Sequence, residues 1–459
     1  MTSAPNPLAA FSPIRVYGKV HRIVGLVVEG TCARSSIGSL CEITPLQGGA
    51  PIPAEIVGYS NNQALLMPLG ELRGLGPGSL IRVKKEQASI NVGDALLGRV
   101  LDGMAQPLDQ GPPLNLPHQK ALYSLPPSPM RRDAIIQPLD LGIRAINGLL
   151  TCGIGQRMGI MAGSGVGKSV LLGMMAKYAK ADINVIALIG ERGREVKEFI
   201  ERDLGAAGLA HSVIIAVTSD QSPLLRMRGA FVATAIAEYF SQQGKNVLLM
   251  MDSVTRFAMA MREIGLSIGE PPTTKGYTPS VFATLPKLLE RAGNFQDQGS
   301  ITGLYTVLVD GDDLTEPVAD SVRSILDGHI VLSRSIAAKN HYPAIDVMMS
   351  TSRVMRDITT ERHRELAGKA RSVMAVYRES EDLINIGAYA AGSNKKIDYA
   401  ISRIDAINTF LTQGFDEPST LEETIAAMGD LVSERQGADR RRPNRKGFDR
   451  RKTDADEAE

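Results

Sequence analysis

The stretch Ala162-Gly163-Ser164-Gly165-Val166-Gly167-Lys168-Ser169 constrains the fold more than any other part of the chain. An apolar approach, Met158 to Met161, precedes it, and a helical run, Val170 to Tyr178, follows it. It reads as a strand, a phosphate loop and a helix. Gly163, Gly165 and Gly167 let the backbone curl until successive N–H groups point at one anion, and the helix starting near Lys168 adds its positive end. Lys168 supplies a point charge for terminal phosphates, and the Ser169 hydroxyl is placed to be the inner ligand of a magnesium ion. The pattern predicts a magnesium-nucleotide site built from Gly163, Ser164, Gly165, Val166, Gly167, Lys168, Ser169 and Val170. One position departs from G-x-x-x-x-G-K-[ST]. Ala162 stands where the first glycine is usual, a place that accepts a small residue more readily than those that must approach phosphate.

At 459 residues the chain exceeds one ordinary core, so two or three domains are expected. With 51 Lys and Arg against 50 Asp and Glu, charge argues against a nucleic-acid footprint spread over the whole surface, as distinct from a local patch. Cys32, Cys41 and Cys152 have no metal spacing, and no secretory segment is visible ahead of them, which suits a reducing cytoplasm. Apolar runs such as Val247 to Met251 are too short to cross a bilayer. Any membrane contact is expected to be peripheral.

In chain order, residues 1–14 read as a loose lead-in. Residues 15–88 carry short β-type runs (Arg15 to Val20, Ile23 to Val28, Cys41 to Thr44, Ala54 to Tyr59, Gln63 to Met67, Leu80 to Val83) separated by turn formers, the mark of a small closed β-barrel. It is either a folding and assembly module or an oligonucleotide-binding barrel; Tyr17 and Tyr59 are the only aromatic residues between Ile14 and Lys85 that could stack on bases. A proline-rich connector, Asp102 to Pro129, reads as an extended strap. Residues 89–366 read as an α/β nucleotide domain. Its run Asn184 to Ile189 is apolar without a break after the asparagine, as in a parallel strand buried on both faces, and it ends at Gly190-Glu191-Arg192. A carboxylate there lies in the crevice where such sheets bind ligands, making Glu191 a candidate to orient the attacking water, with Arg192 near the phosphates. Val247 to Met251 closes on Asp252, which suits a residue reaching the hydrated magnesium. Residues 367–436 read as an all-helical domain, and 437–459 as a charged, disordered tail, basic from Arg440 to Lys452 and acidic from Asp454.

These strings together resemble the catalytic subunits of rotary ATP synthases. Pro343-Ala344-Ile345-Asp346-Val347-Met348-Met349-Ser350-Thr351-Ser352 matches P-[SAP]-[LIV]-[DNH]-x-x-x-S-x-S at every constrained position. Pro271 to Phe282 and Gly190 to Val196 are closer still to the export ATPases of flagella and their injectisome relatives. The resemblance covers about residues 15–436. It implies an N-terminal barrel, a RecA-like P-loop domain and a C-terminal helical domain, with ATP and Mg2+ at the site. Lys168 and Ser169 would hold the phosphates and magnesium, Glu191 would be the catalytic carboxylate, and Arg192 and Arg256 would line the phosphate site. Asp252 would hold the magnesium shell. Tyr342 would pack on adenine, with Phe415 completing that pocket. Arg353 matches the arginine finger that reaches a neighbouring subunit's site.

Because Glu191 and Arg353 occur in one chain, a homohexamer with equivalent sites is implied. The expected function is ATP hydrolysis that energises or primes export of flagellar proteins through a type III secretion apparatus. Expected partners are a stator-like regulator, a stalk-like protein, the export gate, and chaperone-substrate complexes, at the inner face of the cell membrane and without nucleic acid. The stalk contacts would be its own, since Gly392-Ser393-Asn394-Lys395-Lys396 stands where rotary catalytic subunits carry an acidic loop. An injectisome ATPase, an RNA-translocating hexamer and a purely structural nucleotide-binding subunit are the competing readings.

Overall fold

A computed structural model describes residues 16–33, 35–309, 311 and 313–432. The expected lead-in and charged tail lie outside these residues. Six strands close the N-terminal barrel: β1 (Gly18–Val24), β2 (Val27–Gly30), β3 (Leu40–Thr44), β4 (Ile52–Ser60), β5 (Gln63–Pro68) and β6 (Leu80–Lys85), in the order β1-β2-β5-β4-β3-β6. Small and β-branched residues alternate inward along them, so Val20, Val28, Cys41, Ile43, Ala54, Ile56, Leu66 and Ile81 fill the interior.

The strap is less irregular than its prolines suggest. Strands β7 (Ser89–Val92) and β8 (Val100–Leu101) precede it, and within it β9 (His118–Ala121) pairs antiparallel with β7, matching Val92 to His118. Prolines 112, 113 and 117 stop short of β9, whose own N–H groups are therefore free to pair. Downstream come β10 (Pro138–Leu139), α1 (Arg144–Leu149), β11 (Cys152–Gly153), β12 (Arg157–Ala162), α2 (Lys168–Tyr178) and β13 (Ile183–Glu191). Next are α3 (Gly193–Glu198), π-helical turns over Phe199–Leu204, and α4 (Gly205–Ala210). Three glycines obscure helical periodicity in that stretch, where Phe199, Asp203 and Leu204 are buried and Val196, Ile200 and Leu209 pack half-buried against the core.

The core continues with β14 (Ser212–Thr218), α5 (Pro223–Ser241), β15 (Val247–Asp252), α6 (Val254–Ser267), α7 (Pro279–Leu289), β16 (Gly293–Asn294) and β17 (Ser300–Leu308). It ends with α8 (Pro317–Ile325), β18 (Gly328–Leu332), α9 (Arg334–Ala338), β19 (Thr351–Ser352) and α10 (Met355–Ile358). The main sheet runs β19-β18-β12-β17-β15-β13-β14-β8, parallel except for β19, with β16 antiparallel on β17. Strands β12, β15, β13 and β14 are buried almost throughout, which is why they read as unbroken apolar runs.

Helices α11 (Glu361–Asn385), α12 (Lys395–Leu411) and α13 (Leu421–Val432) form the C-terminal unit. Helix α11 already begins at Glu361, capped by Thr360, and runs on through residue 366 without a break. The unit is stitched to the segment ahead of the phosphate loop: His363 Nε2 lies 2.8 Å from Gly148 O, Arg371 donates to Leu149 O, and Gln413 Nε2 donates to Gly142 O. The barrel is held by a buried triad. Arg228 on α5 donates to Glu55 on β4 at 2.6 Å, and Tyr123 of the strap donates to the other Glu55 oxygen at 2.6 Å.

Candidate active site

Parallel topology brings the carboxyl ends of β12, β13, β15 and β17 to one rim, and the candidate residues collect there. The turn after β12 enters α2 through Gly167, whose φ of +86° is open to glycine at little cost. Helix α2 has no side-chain cap, as is also true of α3, α7 and α8, and its end opens on the space beyond the loop. Its first N–H groups and the positive end of its dipole are thus left for an external anion. A cavity of about 460 Å3 opens in front of them. It is lined by loop residues from Ala162 to Val170 together with Gly190, Glu191, Arg192, Glu195, Ser219 and Arg256.

Lys168 reaches across this space. Its Nζ contacts Asp252 Oδ1 and lies 3.5 Å from Glu191 Oε1. Burial alone would favour the neutral amine, but Asp252 and then Glu191 outweigh it and raise its pKa. Asp252, 4% exposed at the end of β15, also accepts from Thr306 Oγ1 at 2.6 Å, so a second group fixes its rotamer. Glu191 has the opposite balance. Burial, then the charge of Asp252, pushes its carboxyl up to about 7 against the pull of Lys168. Its neighbour Glu195, in the first turn of α3, adds to that rise; burial would raise Glu195 as well, but its hydrogen bond with Glu191 and the charge of Arg192 outweigh burial and lower it.

Arg256 opens α6, where Ser253 accepts its N–H, and its stem crosses Gly190 so closely that a Cβ there would lie 2.9 Å from Arg256 Cβ. Its Nε is buried without a hydrogen-bond partner. An anion in the cavity would answer such a group. Arg192 lines the mouth and pairs with Glu195 at 3.3 Å, its side chain largely exposed.

A nucleotide triphosphate fits this donor set: an uncapped helix end, Lys168 and Arg256. No group of three or more His, Cys, Asp or Glu side chains among the described residues could hold a metal by itself. A magnesium ion carried on phosphates needs no such cage, only the exposed Ser169 hydroxyl and carboxylates acting through water.

Of the residues expected at the site, the loop, Glu191, Arg192 and Arg256 line the cavity, while Val166 and Asp252 stand behind it, buried. Tyr342, 40% exposed, faces the loop from outside, its ring 3.4 Å from where a Cβ on Gly167 would be. Phe415 lies beside α2, under Lys177 Nζ at 5.2 Å, with its carbonyl accepting from Tyr178. Arg353 does not reach the cavity of its own chain. It follows β19 at the edge of the sheet and donates to Arg323 O at 3.4 Å. Reading the sequence missed Glu195, Ser219, Leu308 and Val309 in the lining. Glu191 ends β13 and Glu195 lies in α3, so no regular spacing within one element links the two.

Residues 142–352 match the nucleotide-binding domain of the ATP synthase alpha/beta family, and residues 359–430 match the C-terminal domain of the T3SS ATPase EscN. The flagellum-specific ATP synthase of Bacillus subtilis is 54% identical over 418 residues, spanning 91% of this chain and 95% of that one. The type 3 secretion system ATPase of Xanthomonas euvesicatoria is 49% identical over 433 residues, spanning 94% and 98%. Among solved structures, the assembled ATPase EscN of enteropathogenic E. coli superposes with a TM-score of 0.86 at 46% identity, covering 91% of this chain and all of that one. The same protein in complex with its central stalk EscO gives 0.84. This chain is a P-loop ATPase and belongs to the ATP synthase alpha/beta family, in the branch of flagellum-specific and type 3 secretion ATPases.

Proposed function

We propose that this chain hydrolyses ATP as one subunit of a homohexameric ring that energises or primes export through a flagellar type III apparatus. The observation that carries the reading is the division of the catalytic groups. Glu191 and Lys168 face one cavity, whereas Arg353, the match to the finger, lies at the sheet edge away from it. A second copy would complete each site. The N–H groups of the loop and Lys168 hold the phosphates, and Arg256 and Arg192 stabilise charge on the transferring group. Glu191 orients the attacking water, and a carboxyl titrating near neutrality is suited to take its proton. Ser169, with Asp252 through water, would hold magnesium, which when bound neutralises charge on the phosphates. Tyr342 packs on the base, with Phe415 beside it.

The same reading supplies the surroundings: self-assembly, a central stalk, a stator-like regulator, the export gate and chaperone-bound substrates, at the cytoplasmic face of the membrane. No described helix is long and apolar enough to cross a bilayer. The 49% identity to the Xanthomonas protein supports an injectisome role as the second reading.

The test is ATPase activity against protein concentration, with mass measured in parallel, for wild type and Arg353→Ala. Activity per chain should rise cooperatively as rings form, and the variant should assemble yet turn over roughly 10³-fold or more slowly. Flat activity per chain with a wild-type-like variant would refute the shared site.

A further inference from the structure

Gln156 is wholly buried in the turn that feeds β12, and its amide is fully committed. Oε1 accepts the Gly153 N–H at 2.8 Å. Nε2 donates to Asp327 O at 3.2 Å and to Ser352 Oγ at 3.1 Å, and also touches Met158 Sδ. Only one orientation satisfies these partners. Turned over, the amide would set its oxygen against the Asp327 carbonyl and its N–H groups against that of Gly153. Ser352 Oγ passes the chain on by donating to Thr151 O at 2.8 Å.

What these bonds hold is the segment entering Arg353. The Arg353 N–H donates to Asp327 O at 3.0 Å, the same carbonyl that receives Gln156. Ser352, the residue before it, is gripped from below by Gln156. The backbone on the N-terminal side of the arginine is therefore fixed to the root of β12, the strand whose far end, about 17 Å away, becomes this chain's own phosphate loop. Nothing in that loop requires a buried amide at its root, since β12 is already paired on both sides with β17 and β18.

We propose that Gln156, acting through Ser352, is a positioning residue for Arg353, setting where the arginine enters the neighbouring subunit's site. The inference rests on the reading of Arg353 as acting on a second copy. A finger acts by placing charge at the transferring phosphoryl group, and misplacement by about 1 Å costs on the order of 10²-fold in rate. Gln156 should therefore matter in the chain that lends the arginine and not in the chain that receives it.

Mixed assembly separates the two roles. A Glu191→Gln chain has a disabled site but an intact arginine, and an Arg353→Ala chain has an intact site but no arginine. Assembled together with Mg-ATP, they should recover activity that neither has alone. Gln156→Met, which keeps volume and removes the amide, is then placed in one chain or the other. In the Glu191→Gln chain it should cut the recovered turnover about 10²-fold with KM for ATP within about twofold. In the Arg353→Ala chain it should leave recovery within about threefold. Ser352→Ala, a milder change, should give the same asymmetry and replaces Gln156→Met if that variant does not fold. Equal losses from the two placements would overturn the proposal, because a residue that only supports its own fold acts in the chain it occupies. Absence of recovery in the unaltered pair would overturn the shared-site reading and this proposal with it, and is seen before Gln156 is touched.

Discussion

Replacing Glu191 by Gln should stabilise the nucleotide-free protein, and should do so only toward higher pH. The carboxyl sits at about 7 rather than at its ordinary 4.5, chiefly because burial and the nearby Asp252 oppose its charge. A displacement of that size corresponds to ~3 kcal/mol between the two protonation states. The cavity is open and solvent screens part of it, so about 1–2 kcal/mol is the expected effect. The sign follows from which state holds the proton more tightly. Here the folded protein does, so the penalty is absent below about 4.5, grows as pH rises, and is complete above about 7. Glutamine keeps the shape and carries no charge at any pH. Urea unfolding of both proteins between pH 5 and 8.5 measures the difference, followed by circular dichroism because the chain has no tryptophan. The variant should be the more stable at pH 8, with the gap closing by pH 5. A variant less stable than wild type at pH 8, or a gap independent of pH, would refute the account of why this carboxyl is raised.

The buried pair between barrel and nucleotide domain makes a second case. Glu55→Ala leaves the Arg228 guanidinium, 1% exposed, without its counter-charge and should cost about 3–5 kcal/mol, while adding Arg228→Met should return part of that loss; strictly additive losses in urea would count against the pair. Gly167→Ala forces an alanine into the left-handed region and toward the Tyr342 ring, so nucleotide affinity measured by calorimetry should fall by at least tenfold, and unchanged affinity would show that the turn does not set the phosphate geometry.

The parts of the site that could be read directly from the sequence are those whose chemistry is local. A glycine loop between strand and helix announces itself, and Glu191 and Asp252 close apolar runs that could only be buried strands. Glu195 and Ser219 escaped because their approach depends on tertiary placement: one sits inside α3, a short helix masked by glycines, and the other follows Thr218, which β-sheet register sets opposite Glu191. Tyr342 and Arg353 carry no local signal and were reached only through resemblance. The barrel was legible from its turns, but its Glu55 seat on Arg228, 173 residues away, was not. Strand β9 was hidden for the opposite reason, since the prolines around it suggested no pairing at all.

Strand β8 places residues 100 and 101 at the outer edge of a sheet whose other members all come later in the chain, pairing with Ile214 and Ile215. Synthesis runs from the N-terminus, so the barrel has all six strands in hand soon after residue 85 and can close while the rest is still being made. Strand β8, bridged at once only to the turn at Pro107, must wait for more than a hundred further residues before a strand of the main sheet lies beside it, and Glu55 must wait longer for Arg228. For that interval the nascent chain carries a closed barrel whose flanking carboxylate has no counter-charge, with Tyr123 as its donor, and a strand behind it still without its sheet. A chaperone holding the nascent chain would find its opportunity in that window, before the nucleotide domain has covered either.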